Sequence, residues 1–165
     1  MARDPIYLMG VSGCGKSVIG RELATQLCGT FLDGDDLHPA ANKEKMKQGL
    51  ALNDVDRLPW FDLIKQNILD TKNKPVVMAC SALKRNYRAL LRQGFENAAF
   101  VYLEGDFDLI MSRIKKRDHE YMPVDLLRSQ FDTLEVPTAD EKVIKVNIDN
   151  SVVGIVAEIC QQLSD

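Results

Sequence analysis

An eight-residue stretch, Gly10-Val11-Ser12-Gly13-Cys14-Gly15-Lys16-Ser17, reads G-x-x-x-x-G-K-[ST] and constrains this chain more than any other feature. The apolar run Ile6-Tyr7-Leu8-Met9 enters it as a strand, and Val18-Ile19-Gly20-Arg21-Glu22-Leu23 leaves it as a helix. Strand, loop and helix in that order make the pattern a phosphate cradle rather than a glycine-rich turn. Gly10, Gly13 and Gly15 let the backbone curl, so that N–H groups of Val11, Ser12, Cys14 and their neighbours face phosphate oxygens. The helix N-terminus adds its partial positive charge. Lys16 is expected to reach the β- and γ-phosphates, and the Ser17 hydroxyl to ligate Mg²⁺. The expected ligand is a nucleoside triphosphate.

The rest of the chain supports one α/β domain over residues 1–165. Short apolar runs at Ile6–Met9, Thr30–Leu32, Val76–Cys80, Phe100–Leu103 and Val143–Ile148 suit parallel strands buried on both faces. Between them lie helical periodicities: Ile19, Leu23 and Leu27; Trp60, Leu63, Ile64 and Ile68, capped by Asp54 or Asp56; and Val152, Ile155, Val156, Ile159 and Leu163. Alternating βαβα implies a doubly wound sheet with right-handed crossovers, its ligand outside the carboxyl ends of the strands. Two stretches exceed simple connections. Residues 37–53 read as a substrate flap, and residues 115–141, with a helix around Leu126–Leu134, as a lid over the nucleotide.

Composition narrows the partners. A net charge of −3 gives no bulk electrostatic reason to bind nucleic acid or membrane. No run approaches membrane-spanning length, and no signal-peptide-like segment is present. Cys14, Cys28, Cys80 and Cys160 are scattered without C-x-x-C pairing. A cytoplasmic, reduced protein is expected.

Candidate chemistry gathers at strand ends. Asp33, in Leu32-Asp33-Gly34-Asp35, is placed to hold the Mg²⁺ hydration shell, and Asp35 to orient a substrate hydroxyl for in-line attack. After the third strand, Cys80-Ser81-Ala82-Leu83-Lys84-Arg85-Asn86-Tyr87-Arg88 puts Lys84 and Arg88 one helical turn apart, where they suit an anionic substrate group. Arg57 is a further cation for that role, whereas Arg85 and Arg92 read as solvated surface. Arg117 is the candidate for neutralising charge on the transferred phosphate, and Arg113 for stacking on the adenine. His38 and His119 have no metal-ligand partners; Trp60 belongs to the core or the site wall.

The chain resembles bacterial-type gluconate kinases, small phosphate-loop enzymes related in fold to shikimate and nucleoside monophosphate kinases. The likeness rests on Met9–Gly13, Phe31–Asp35 with Leu37-His38-Pro39, Asn42 with Lys45-Met46, and Leu52-Asn53-Asp54. It continues in Asp56-Arg57 with Pro59-Trp60, Cys80–Lys84, Tyr87-Arg88, Gln130, Leu134, Pro137 and Asp140-Glu141. The resemblance implies ATP- and Mg²⁺-dependent phosphorylation of the 6-hydroxyl of D-gluconate and a five-stranded parallel sheet in order 2-3-1-4-5. It also implies a mobile lid and a homodimer. Gluconate's carboxylate would meet Arg57, Lys84 or Arg88, and its hydroxyls Asp35, His38 and Asn42. At the lid tip, where relatives carry His then Phe, this chain has Glu120-Tyr121 after His119. A shikimate or nucleotide kinase is the alternative enzyme. A guanine-nucleotide switch is opposed by the lack of an Asn-Lys-x-Asp motif, because Asn42-Lys43 continues as Glu44-Lys45.

Overall fold

A computed structural model describes residues 4–116 and 124–165. Its centre is a parallel sheet of five strands, β1 (Ile6–Met9), β2 (Thr30–Asp33), β3 (Val76–Ala79), β4 (Ala99–Glu104) and β5 (Ile144–Asn147), in the order β2-β3-β1-β4-β5. β1 lies between β3 and β4, with Leu8 opposite Ala79 on one side and Val101 on the other. The phosphate loop therefore leaves the middle of the sheet, where neighbours on both sides fix it.

Side chains on each strand alternate between two packed layers, as the strand period of two requires. Ile6, Leu8, Val77, Val101 and Leu103 join α1 (Lys16–Gln26), α5 (Phe107–Lys115), α6 (Val124–Thr133) and α7 (Val152–Ser164) through Ile19, Leu23, Ile110, Leu127, Ile155 and Ile159. Tyr7, Met9, Met78, Phe100 and Tyr102 face the other way. They meet α3 (Asp54–Asp70) and α4 (Arg85–Arg92) through Trp60, Phe61, Ile64, Ile68, Tyr87 and Leu91. Because both faces are covered, the central strands are apolar throughout, and this is why they were legible as continuous runs.

Two local expectations need correction. α3 is capped by Asn53, whose side chain accepts from the Asp56 N–H at 2.8 Å while Asp56 accepts from the Asn53 N–H at 3.0 Å. This reciprocal box satisfies two otherwise orphaned donors, so Asp56 completes the cap rather than forming it, and Asp54 lies in the first turn. Leu63 is exposed and Phe61 takes its place in the core. Trp60, Phe61, Ile64 and Ile68 form one stripe, from which Leu63 is turned well away.

The stretch 37–53 contains a helix, α2 (Ala40–Lys47), after a short 3₁₀ turn at Gly34–Leu37. In the stretch 115–141, α6 matches the helix expected there, and a second 3₁₀ turn follows at Ala139–Glu141. Residues 134–141 are bound to the body of the fold: the Glu135 N–H donates to the Leu83 carbonyl at 2.8 Å, and the Arg85 N–H donates to Glu135 Oε1 at 3.0 Å. The far end of the expected lid is thus anchored to the start of α4.

Candidate active site

The glycines of the loop hold conformations that other residues rarely adopt. Gly15 caps α1 with φ of 101°, and Gly13 has φ of 82°. A side chain on Gly13 would also come within 2.7 Å of Ile114 on α5. Lys16 folds back over the loop, its ammonium donating to the carbonyls of Gly10 at 2.9 Å and Val11 at 3.1 Å. A flexible cation there can follow phosphate oxygens without leaving the loop.

At the second residue of α1, the Ser17 hydroxyl donates to Asp33 Oδ2 at 3.3 Å. The other carboxylate oxygen, Oδ1, accepts from the Asp35 N–H at 3.0 Å and so caps the 3₁₀ turn after β2. Asp33 therefore touches Ser17 with one oxygen and positions Asp35 with the other. The Asp35 carboxyl is reached by solvent from the cleft, yet surrounding protein raises its pKa, with the Asp33 and Asp36 carboxylates adding to the rise and Lys16 opposing it. Burial pushes the neighbouring Cys80 thiol up to about 12, which keeps it neutral. Among the described residues no three His, Cys, Asp or Glu side chains gather as a metal cage. Mg²⁺ does not need one, since it keeps several waters and takes one or two protein ligands beside phosphate oxygens. The hard oxygens of Ser17 and Asp33 at the loop's edge fit that requirement.

The flap is tied to α3. His38 is buried and stacks on Trp60 with ring centres 3.9 Å apart, while the Trp60 indole N–H donates to the Gly34 carbonyl at 2.7 Å. Burial lowers the His38 pKa to about 4, helped by the positive charges of Arg57 and Lys43, so the ring is neutral at physiological pH. The Asn42 amide donates to the Asp56 carbonyl at 2.9 Å and lies 3.3 Å from His38 Nδ1. With Nδ1 accepting, the ring's proton sits on Nε2, which becomes a donor. Lys45 adds an ion pair to Asp56 at 2.7 Å. Asn42, expected to meet substrate, is buried with its NH₂ group directed at protein partners; its position makes it a support for His38 and the flap.

The candidate cations separate clearly. Arg57 donates to the Leu52 carbonyl at 2.7 Å and lies 5.2 Å from the centre of the Tyr87 ring. Asp56 is taken by Lys45. Asp54 accepts from the Tyr87 hydroxyl at 2.6 Å and lies 3.9 Å from Lys84. Among the described residues Arg57 has no carboxylate at ion-pairing distance. Lys84 sits on the same ring at 5.5 Å, so two cations converge on Tyr87. Arg88 is different: only 1% exposed, it forms a two-armed pair with Glu141 at 2.7 and 3.1 Å and donates to the carbonyls of Ala82 and Glu135. The structure does not place Arg88 to read substrate, because it is buried and four of its five N–H donors are engaged inside the protein.

Arg85 is exposed, as expected of a solvated surface residue, whereas Arg92 exceeds that role. Arg85 pairs with Asp140, and Arg92 donates to the Glu141 carbonyl at 2.8 Å while lying 4.6 Å from the Phe100 ring centre. Arg113 donates to the Ile148 carbonyl at 2.5 Å, beside the carboxyl end of β5. Arg117, His119, Glu120 and Tyr121 lie outside the described residues.

Comparison with known proteins adds a family to this geometry. The sequence profile of the shikimate kinase family matches residues 12–163. Among individual relatives, the thermoresistant gluconokinase of Escherichia coli K12 is 49% identical over 91% of this chain and 87% of its own. The thermosensitive gluconokinase of the same organism is 44% identical over 98% and 88%. The chain belongs to the gluconokinase family. The crystal structure of a gluconokinase from Sinorhizobium meliloti 1021 superposes with a TM-score of 0.88 at 38% identity, covering 99% of this chain and 93% of that one. The framework just described is thus the gluconokinase framework over nearly its whole length.

Within this member of the gluconokinase family, three contributors had no role assigned from sequence. Tyr87 supports both cations at the cleft, Glu141 holds Arg88, and Gln130 touches the phosphate loop. Tyr87 alone carried a local signal, being one turn into the basic segment after β3. Glu141 and Gln130 are far along the chain from their partners: α6 carries Gln130 to the loop, and the return of the chain after α6 brings Glu141 to Arg88.

Proposed function

We propose that this protein transfers the γ-phosphoryl group of ATP to the 6-hydroxyl of D-gluconate, giving 6-phospho-D-gluconate and ADP. The observation that carries the reading is the linked set Lys16, Ser17, Asp33 and Asp35 at one edge of the phosphate loop, in a chain of the gluconokinase family.

Lys16 follows the β- and γ-phosphates, and the loop amides hold the remaining oxygens, apart from those of Gly10, Ser12 and Cys14, which donate within the protein. Ser17 and Asp33 would hold Mg²⁺, Asp33 through the ion's waters; when bound, the ion supplies positive charge against the phosphate oxygens. Asp35 accepts the hydrogen bond of the 6-hydroxyl and takes its proton as the new O–P bond forms. The bond from the γ-phosphorus to the bridging oxygen breaks, and ADP leaves. The raised pKa of Asp35 suits a group that must receive a proton during the reaction. Arg57, with Lys84 beside it, binds the substrate carboxylate, and His38 donates from Nε2 to a substrate hydroxyl. Arg113 packs on the adenine, and Arg117 neutralises charge on the transferred group.

The enzyme acts in the cytoplasm in this reading. In support, no helix among the described residues is long and apolar enough to cross a membrane, and Cys14, Cys28, Cys80 and Cys160 are free thiols. A homodimer is proposed with it. The exposed Val55, Leu58 and Leu69 recur at helical spacing on one side of α3 and offer apolar surface for a second copy.

A coupled assay of ADP release across gluconate, shikimate and nucleoside monophosphates tests the reading. Gluconate is expected to be preferred by at least about a hundredfold in kcat/KM, the discrimination that a site built around several substrate hydroxyls and a charge provides. Higher activity with shikimate, the substrate class of the matching family profile, would replace it.

A further inference from the structure

The α6 helix, which lies within the stretch expected to cover the nucleotide, reaches back to the phosphate loop through one side chain. Gln130 Oε1 accepts from the Ser12 N–H at 2.7 Å, and its Nε2 donates to Ser12 Oγ at 2.9 Å. Both ends of one amide thus engage both polar groups that Ser12 directs at it. The neighbouring loop residue is held from the opposite arm: Gly13 packs so closely on Ile114 of α5 that no side chain fits between them. The two helices flanking residues 117–123 therefore each hold one residue of the loop. They also hold each other, since Leu127 packs in the same buried cluster as Ile110, Met111 and Ile114.

The place on the loop is specific. Ser12 directly follows Val11, whose carbonyl receives the Lys16 ammonium at 3.1 Å. Gln130 therefore holds the side of the loop on which Lys16 sits, where the terminal phosphate of a triphosphate lies. A loop residue with a free N–H and a rotating hydroxyl would sample several positions. The two-point contact fixes one of them before nucleotide arrives, and preorganisation of this kind raises affinity by removing an ordering cost.

We propose that Gln130 is a positioning residue for the terminal phosphate of the nucleotide, acting through Ser12. It makes the affinity of the loop depend on where α6 sits. The proposal rests on the ATP-dependent kinase reading, and its test uses nucleotide alone, so that a wrong assignment of the sugar substrate leaves it standing.

Binding of a non-hydrolysable ATP analogue and of ADP is measured by calorimetry in the wild type, Gln130→Ala, Ser12→Ala and the double variant, each with Mg²⁺ and without sugar. The expected result is about a tenfold loss of affinity for the triphosphate analogue in Gln130→Ala, the size of one hydrogen-bonded positioning contact. ADP affinity should fall less than about threefold, because ADP lacks the terminal phosphate that the Lys16 side of the loop would meet. The two single changes should be strongly non-additive, since both act through one contact. Gln130→Glu keeps an acceptor for the Ser12 N–H but brings negative charge to the Lys16 side of the loop. It should weaken the triphosphate analogue more than the alanine change does, with part of the loss removed by 0.5 M salt. Equal losses for triphosphate and diphosphate, additive single changes, or no loss in either Gln130 variant would overturn the proposal. Failure of both Gln130 variants to fold would overturn it as well, by making the residue purely structural.

Discussion

Asp33 joins two parts of the site with its two carboxylate oxygens: Oδ2 accepts from the Ser17 hydroxyl at 3.3 Å, and Oδ1 accepts from the Asp35 N–H at 3.0 Å. The residue proposed to hold the metal and the residue proposed to orient the substrate hydroxyl are therefore mechanically coupled. Asp33→Asn should raise the Mg²⁺ concentration for half-maximal rate by about tenfold with kcat at saturating Mg²⁺ little changed, because the amide oxygen still caps the turn that presents Asp35. Asp35→Asn should lower kcat by about a hundredfold or more with the Mg²⁺ requirement unchanged. Mg²⁺ titrations of both variants check this, and superimposable curves would contradict it.

Arg57 rests on Tyr87 without a carboxylate partner among the described residues, so its charge is available to an anionic substrate. Arg57→Gln should raise KM for gluconate by about tenfold to a hundredfold, the loss expected for a charge-assisted hydrogen bond, with KM for ATP little changed. Tyr87→Phe removes the hydroxyl that holds Asp54 while keeping the ring under both cations, so it should raise KM for gluconate less than Arg57→Gln does. Steady-state kinetics with each substrate varied in turn separate these outcomes.

Arg88 should behave in the opposite way. Its pair with Glu141 is buried, with side-chain exposures of 1% and 7%, and removing one partner leaves an uncompensated charge. Arg88→Met or Glu141→Gln should each destabilise the fold by about 3 kcal/mol or more. KM for gluconate in the surviving folded fraction should match the wild type. Denaturation curves and kinetics on the same samples distinguish this from a substrate-reading arginine.

His38 makes the fold sensitive to mild acid. Its pKa is lowered from the usual 6.5 to about 4, so the unfolded chain takes up a proton that the folded chain refuses. The associated stability is complete above pH 6.5 and is lost as the pH falls from there toward 4. Between pH 7.5 and pH 5 the wild type should lose about 2 kcal/mol more than His38→Gln, at 1.36 kcal/mol per pKa unit. Glu141 and Asp56, whose pKa values are also lowered, titrate below this window and leave the comparison clean. Urea denaturation at the two pH values provides the measurement.

What could be read from the chain follows from distance in sequence. The loop, its flanking strand and helix, and the pair Asp33 and Asp35 are local, so spacing alone carries them. The central strands β1, β3 and β4 are legible because both faces of the sheet are buried around them. Local spacing puts Arg88 beside Lys84, whereas its partner Glu141 stands 53 residues later, out of reach of any local pattern. Asn53 does not stand out as the cap in the sequence because Asp54 and Asp56 carry the same chemistry one and three residues on. Arg92 looked like surface because nothing local announces the Glu141 carbonyl or the Phe100 ring against which it lies.

The most direct test of the central claim is the position of the phosphate in the product. Phosphorus–proton correlation NMR on the product of ATP, Mg²⁺ and D-gluconate should show one new phosphomonoester coupled to the C6 methylene protons, formed in step with ADP. Coupling to a methine proton of another carbon would contradict the placement of the 6-hydroxyl at Asp35. Release of ADP and inorganic phosphate without a phosphomonoester would contradict the transfer itself.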